Sequence, residues 1–251
     1  MKYLNPFLLY SFLLIAQNVS AQQTISVDYK EWSELPGTIS SGIPIFKLVL
    51  NPNNSMYFQS DLIKSKSGSL SALFSGNEVN KEVDFTIKMY ASQKILSLSE
   101  KINGQVILVS DSLQLMKWKI QKSKPVRYLG LDCYQAKGHF RGRNYTAYFA
   151  PKIKKSEGPF KFSGLPGLIV KIASDDQFKI WQAIKINYQE KEKYSISEKF
   201  KGKAISFADY VKMKKSEDQQ YIKEYKAKNP SNPNLTYEIN LVYVEKSLEI
   251  D

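Results

Sequence analysis

The side chains best suited to bind an anion or move a proton gather between positions 133 and 161. His139, the only histidine in 251 residues, is followed by Arg141, Gly142, Arg143 and Tyr145, with Lys161 further on. Guanidinium forks present paired donors that match phosphate and carboxylate geometry. Arg141, Arg143, Tyr145 and Lys161 are therefore a candidate anion-contact group, with His139 beside them. The same charges equally fit solvated turn residues, or residues paired with a local carboxylate such as Asp132.

Other chemistries find less support. A nucleophile–base–orienter triad would have to use His139, and no Gly-x-Ser-x-Gly elbow precedes it; Phe162-Ser163-Gly164 has a glycine on one side only. Cys133 and His139 are six positions apart, about 20 Å along an extended strand, so they meet only if the strand bends sharply. One histidine, one cysteine and scattered carboxylates give no metal-ligand spacing, and Asp175-Asp176 reads as a turn. No catalytic residue, metal ligand or cofactor is nominated, and a hydrolase built on His139 is kept as a third reading. The lone Cys133 leaves no internal disulfide and reads as a small buried hydrophobe.

The element that must position these residues is the run Gly158-Pro159-Phe160-Lys161-Phe162-Ser163-Gly164-Leu165-Pro166-Gly167-Leu168-Ile169. Pro166 fixes its own φ and extends Leu165, and Gly167 can take positive φ, so Leu165 to Leu168 is expected to be a type II turn packed on a β core. Gly158, Pro159, Gly164, Leu165, Pro166 and Gly167 are thus structural residues of a compact loop that opens into an apolar strand. The string from Gly164 to Ile169 resembles the signature of the GLPGLI family of exported proteins from Gram-negative bacteria. The upstream block from Tyr128 to Phe149 is similar to the family's preceding segment, with Tyr148 where many members carry tryptophan. The resemblance covers roughly 125 to 175. It implies export and a place in the cell envelope, and no reaction.

Around that block the sequence alternates. Ile25, Val27 and Tyr29; Pro44 to Leu50; Met56 to Phe58; Val83 to Met89; Ile95 and Leu98; Val106 to Val109; and Leu113 to Ile120 read as short strands. A Pro-Gly turn stands at 36–37, and Lys64 to Asn80, rich in Ser, Gly and Lys, reads as a loop. Tyr128 to Lys137 and Asn144 to Ala150 form a strand pair around His139 to Arg143, followed by strands at 168–173, 178–188 and 237–243. The 178–188 segment has apolar residues on both faces, the pattern of a central strand. One helix is predicted near 206–228, from the Ser206/Asp209 cap to the stop at Asn229-Pro230, lying partly on the sheet.

The expected fold is therefore mainly β: a single domain over 22–251 made of a highly twisted antiparallel sheet, an open half-barrel with a distant similarity to outer-membrane lipoprotein carriers. Residues 1–21 have Lys2, an apolar run from Phe7 to Ala16 and small residues up to Ala21, the layout of a signal peptide. That run is about half the roughly 20 residues a membrane span needs, and no later stretch reaches it. The net charge is +12. In an exported protein such a charge points away from nucleic acid and toward lipid head groups, an anionic envelope component or an outer-membrane protein. The resulting expectation is an accessory or binding protein of the cell envelope, in the periplasm, at the outer membrane or secreted, that holds an amphipathic or anionic molecule. The alternative is a structural partner of an outer-membrane assembly with no small ligand.

Cleavage after Ala21 is the first testable outcome. Mass analysis of the protein isolated from its own envelope should find a chain starting at Gln22; a retained Met1 would refute the reading of the leader.

Overall fold

Alternating apolar and polar residues, punctuated by turn formers, produce thirteen strands of two to eleven residues and one helix among the described residues of this computed structural model. It describes residues 24–34, 42–64, 85–90, 92–102, 105–112, 116–191 and 203–228. The expected leader at 1–21, the turn at 36–37, most of the 64–80 loop, Val83, Leu113 and Leu115, the stop at 229–230 and the strand at 237–243 lie outside the described residues.

The strands are β1 (Ile25–Trp32), β2 (Gly42–Leu50), β3 (Asn54–Lys64), β4 (Phe85–Met89), β5 (Lys94–Ile102) and β6 (Gln105–Ser112), then β7 (Lys119–Ile120), β8 (Val126–Tyr128), β9 (Leu131–Phe140), β10 (Arg143–Ala150), β11 (Leu168–Ser174), β12 (Ile180–Asn187) and β13 (Ile205–Ser206). They form one open twisted sheet in the order β13-β6-β5-β4-β3-β2-β1-β12-β11-β10-β9-β7, with β8 also on β9. Two antiparallel meanders, β1 to β6 and β9 to β12, are joined where β1 pairs with β12, Val27 opposite Ile186. The two-residue β13 is parallel to β6, a departure from the antiparallel pattern. The segment read as a central strand is one: β12 lies between β1 and β11 and buries Ile180, Trp181 and Ala183.

This sheet curls strongly. Asp111 on β6 and Arg141 beside β9 are separated by nine strand spacings, about 43 Å in a flat sheet at ~4.8 Å each. Their side chains are 2.8 Å apart. The expected open half-barrel is the observed shape, and its ends are brought together by an ion pair.

The face inside the curl is filled by the chain itself. Phe162 packs against Phe140, Tyr145 and Trp181 with ring centroids 5.8, 4.8 and 5.2 Å away. Leu165, Leu168 and Ile169 are fully buried in the same core as Val27, Tyr29 and Leu48. The β7 region departs from the expected strand over 113–120, since residues 116–118 are not part of a strand. Trp118 instead donates its indole N–H to the carbonyl of Ser163 at 2.8 Å. Its ring also lies where a Cβ on Gly138 would come within 2.8 Å. An aromatic contact to the loop has outcompeted ladder pairing.

Helix α1 (Phe207–Lys228) starts as its cap predicts: the Asp209 N–H donates to Ser206 Oγ at 3.1 Å, and the Ser206 hydroxyl donates to the Asp209 carboxylate. Only Phe207, Tyr210 and Val211 are buried. Tyr221, expected on the apolar face, is 51% exposed, so the helix is held on the sheet by its first turns.

Gly167 sets the path by which the loop re-enters the sheet. It sits at φ +155, and a Cβ there would meet the Ala150 carbonyl oxygen at 2.5 Å and Pro151 Cα at 2.8 Å. Gly167→Ala should therefore cost about 2–4 kcal/mol, combining an unfavourable φ with a backbone clash. Thermal melting checks this; an unchanged midpoint would show the loop free of that constraint.

Candidate functional site

The segment between β10 and β11 holds the signature residues, and buried polar groups fix its course. Its two limbs run side by side: Gly164 N–H donates to the Ser156 carbonyl at 3.0 Å, Leu168 N–H to Ile153 at 3.2 Å and Ile169 N–H to Glu157 at 2.8 Å. The expected type II turn is not formed. Gly167 N–H donates to the carbonyl of Leu165 at 2.8 Å, a three-residue turn centred on Pro166, because Leu168 N–H is already engaged by Ile153. Pro166 and Gly164 are exposed, while Gly158, Pro159, Leu165 and Gly167 are buried. The expectation that Pro166 packs on the core is thus corrected: Leu165 and Leu168 on either side supply the apolar contact.

Lys88 pins this loop to β4. Only 1% exposed, its ammonium group lies 2.7 Å from the Glu157 carboxylate. It donates to the carbonyls of Gly158 at 3.0 Å and Phe162 at 2.8 Å. An ammonium has three donors, and each has an acceptor here. Glu157 also accepts from the Ser55 hydroxyl at 3.2 Å, tying the loop to β3. On the far side the Tyr29 hydroxyl donates to the Ile169 carbonyl at 2.6 Å. Burial, and then the neighbouring Glu157, push this phenol well above its ordinary pKa, so it remains a donor.

The anion-contact candidates are brought together, but they face inward. Arg141, Arg143 and Lys161 are 6, 7 and 6% exposed, and Tyr145 is fully buried. Arg141 and Lys161 converge on Asp111, at 2.8 and 3.1 Å from its two oxygens. The Phe207 ring lies 3.6 Å from the Arg141 guanidinium carbon and 4.9 Å from Lys161 Nζ. Arg143 pairs separately with Asp176 at 2.8 Å and lies over the Phe178 ring. These charges are therefore not the solvated turn residues that one reading of the sequence expected. Asp111 and Asp176, not Asp132, are the partners, since Asp132 sits beside the exposed Arg127.

Local geometry explains the aim of Arg141. It and Gly142 form the two-residue turn between β9 and β10, with φ of +43 and +79, and Phe140 pairs directly with Arg143. Such turns favour Asn, Asp or Gly at the first position. An arginine there accepts backbone strain and gains a direction that points its fork at β6.

His139 and Cys133 stay apart in role. His139 is exposed, with Nδ1 2.8 Å from Asn144 Oδ1. Cys133 is fully buried, and burial pushes its thiol pKa up, as suits an inert core residue. No group of three or more His, Cys, Asp or Glu is placed to hold a metal ion among the described residues.

Lys88, Asp111, Glu157, Trp118 and Phe207 were missed by sequence reasoning. Lys88 alternates with Ile87 and Met89 as a solvent-facing strand residue would, and only the returning loop buries it.

No family model matches the chain, and no curated protein does. Among solved structures the chain is similar to PNGF-II in a C2 crystal form, at 15% identity and a TM-score of 0.46, covering 73% of this chain and 30% of that one. In a P21 crystal form the values are 14%, 0.47, 73% and 31%. The chain thus spans under a third of the length of these structures. The fold assignment rests on its own strand pairing.

The Asp111 cluster has a definite acid response. Burial acts to raise the carboxyl pKa, but Lys161 and Arg141 outweigh it and hold the group below its ordinary value. A carboxyl depressed in the folded state stabilises above its unfolded pKa of about 4, and this contribution is lost as pH falls through the folded value. Asp111→Asn should cost about 3–5 kcal/mol at neutral pH, because two buried cations lose their counter-charge. Melting profiles against pH should show wild type and variant converging under acid; parallel curves would refute the assignment.

Proposed function

We propose that this protein is an exported accessory component of the cell envelope that acts through its outer surface, as a partner of an envelope assembly, without enclosing a small amphiphile. The observation behind this reading is the occupancy of the curled sheet's inner face by residues 151–167. A carrier needs an apolar interior left for its cargo. Here Phe162, Leu165 and Trp181 take up that space, each with 0% exposure. The basic residues that could have met a head group spend their charge on Asp111 and Asp176. Export and envelope location rest on the leader-like residues 1–21 and on the resemblance of Gly164 to Ile169 to the GLPGLI signature.

Native mass spectrometry of the protein isolated from its own envelope tests the reading. The expected spectrum is that of the bare chain. A stoichiometric amphiphile would overturn it and restore the carrier. As a positive control, Phe162→Ala should open a cavity that takes up a small apolar dye which the wild type does not bind.

A further inference from the structure

Residues 117–128 border the free side of β9 in an uneven way. Lys119 and Ile120 pair with Lys137 and Ala136, and Gln121 N–H donates to Gln135 at 2.8 Å. Pairing resumes only at Val126 to Tyr128, opposite Cys133 to Leu131. The intervening Lys122-Ser123-Lys124-Pro125 stands off the edge. Lys117, Lys119, Lys122, Lys124, Arg127 and Lys137 are all exposed. Asp132 is the only acidic residue from 116 to 150, and it lies 3.7 Å from Arg127. Lys119 stands directly opposite Lys137. Like charges in that register destabilise a sheet. Along the same segment, Ile120, Val126 and Leu129 are 48, 45 and 48% exposed.

We propose that this edge is a docking surface for an anionic lipid bilayer. Clustered lysines are drawn to an anionic leaflet, and exposed aliphatic side chains can enter the boundary between head groups and acyl chains. Residue type favours a diffuse surface over a defined acidic peptide: five of the six cations are lysines, point charges on flexible stems, whereas Arg141 and Arg143, whose forks suit fixed carboxylates, are used inside. The inference goes beyond the proposed function, since bilayer contact requires no particular assembly partner. Its failure would leave the occupied interior untouched.

Lysines and a proline on an edge strand also serve to block edge-to-edge association. Charge of either sign does that, so charge reversal separates the two roles. The protein as isolated is mixed with vesicles of phosphatidylcholine containing about one third phosphatidylglycerol, and with pure phosphatidylcholine vesicles, at ~0.1 M and ~1 M salt. Expected is co-sedimentation with the anionic vesicles only, lost at high salt. The combined Lys119→Glu, Lys122→Glu, Lys124→Glu, Lys137→Glu variant should keep the melting midpoint and elution volume of the wild type while its partition coefficient falls at least ~100-fold. A milder Lys122→Gln, Lys124→Gln variant, altered only in the stand-off segment, should lose roughly tenfold if the four-fold change disturbs folding. Wild-type protein that ignores anionic vesicles, variants that bind them unchanged, or preference for soluble polyglutamate over vesicles would each overturn the proposal.

Discussion

An open sheet curled this tightly has an inner face that must be covered, and the contact on which that covering depends is the ammonium group of Lys88. It meets one carboxylate and two backbone carbonyls, all from the stretch between β10 and β11. The carbonyls of Gly158 and Phe162 belong to a loop folded back on itself, where they cannot join a regular ladder, and buried carbonyls without a donor are costly. Lys88 supplies the donors and Glu157 balances its charge. The loop can therefore be buried, and Phe162 can reach Tyr145 and Trp181.

A second polar cluster closes the curl. Asp111 draws together the outer meander through β6, the β9–β10 turn through Arg141 and the loop through Lys161, and Phe207 at the start of α1 lies over both cations. Buried ion pairs contribute little net stability because desolvation offsets attraction. Their value here is geometric. Removing Asp111 takes that counter-charge from both cations at once, so the cluster favours the curvature that brings all three groups together.

Period-two alternation made most of the sheet legible in the sequence, including the central position of β12, and the Ser206 cap located the start of α1. The mass of Gly and Pro around 158–167 marked the loop as compact. What local pattern could not reveal was which face the loop would cover. Lys88 looks like a solvent residue among Ile87 and Met89, and Asp111 like the polar end of an apolar strand, because burial of both is decided by segments 30 or more residues away in the chain. For the same reason Arg141, Arg143 and Lys161 were recognisable as a group from sequence, yet their inward direction was not. The turn type at Pro166 failed more locally, when Ile153 captured the N–H that a type II turn would have used.

The seam between β1 and β12 bears on the order of events during synthesis. Strands β1 to β6 can pair with their sequence neighbours as they emerge, but the other side of β1 finds its partner only after residue 187 has been made. Until then the first meander presents a bare row of backbone donors and acceptors, the kind of border that invites pairing with another chain. Contacts this distant in sequence are also slow to form. The strand order thus makes closure of the seam depend on the later meander, whose β12 alone pairs with the second side of β1.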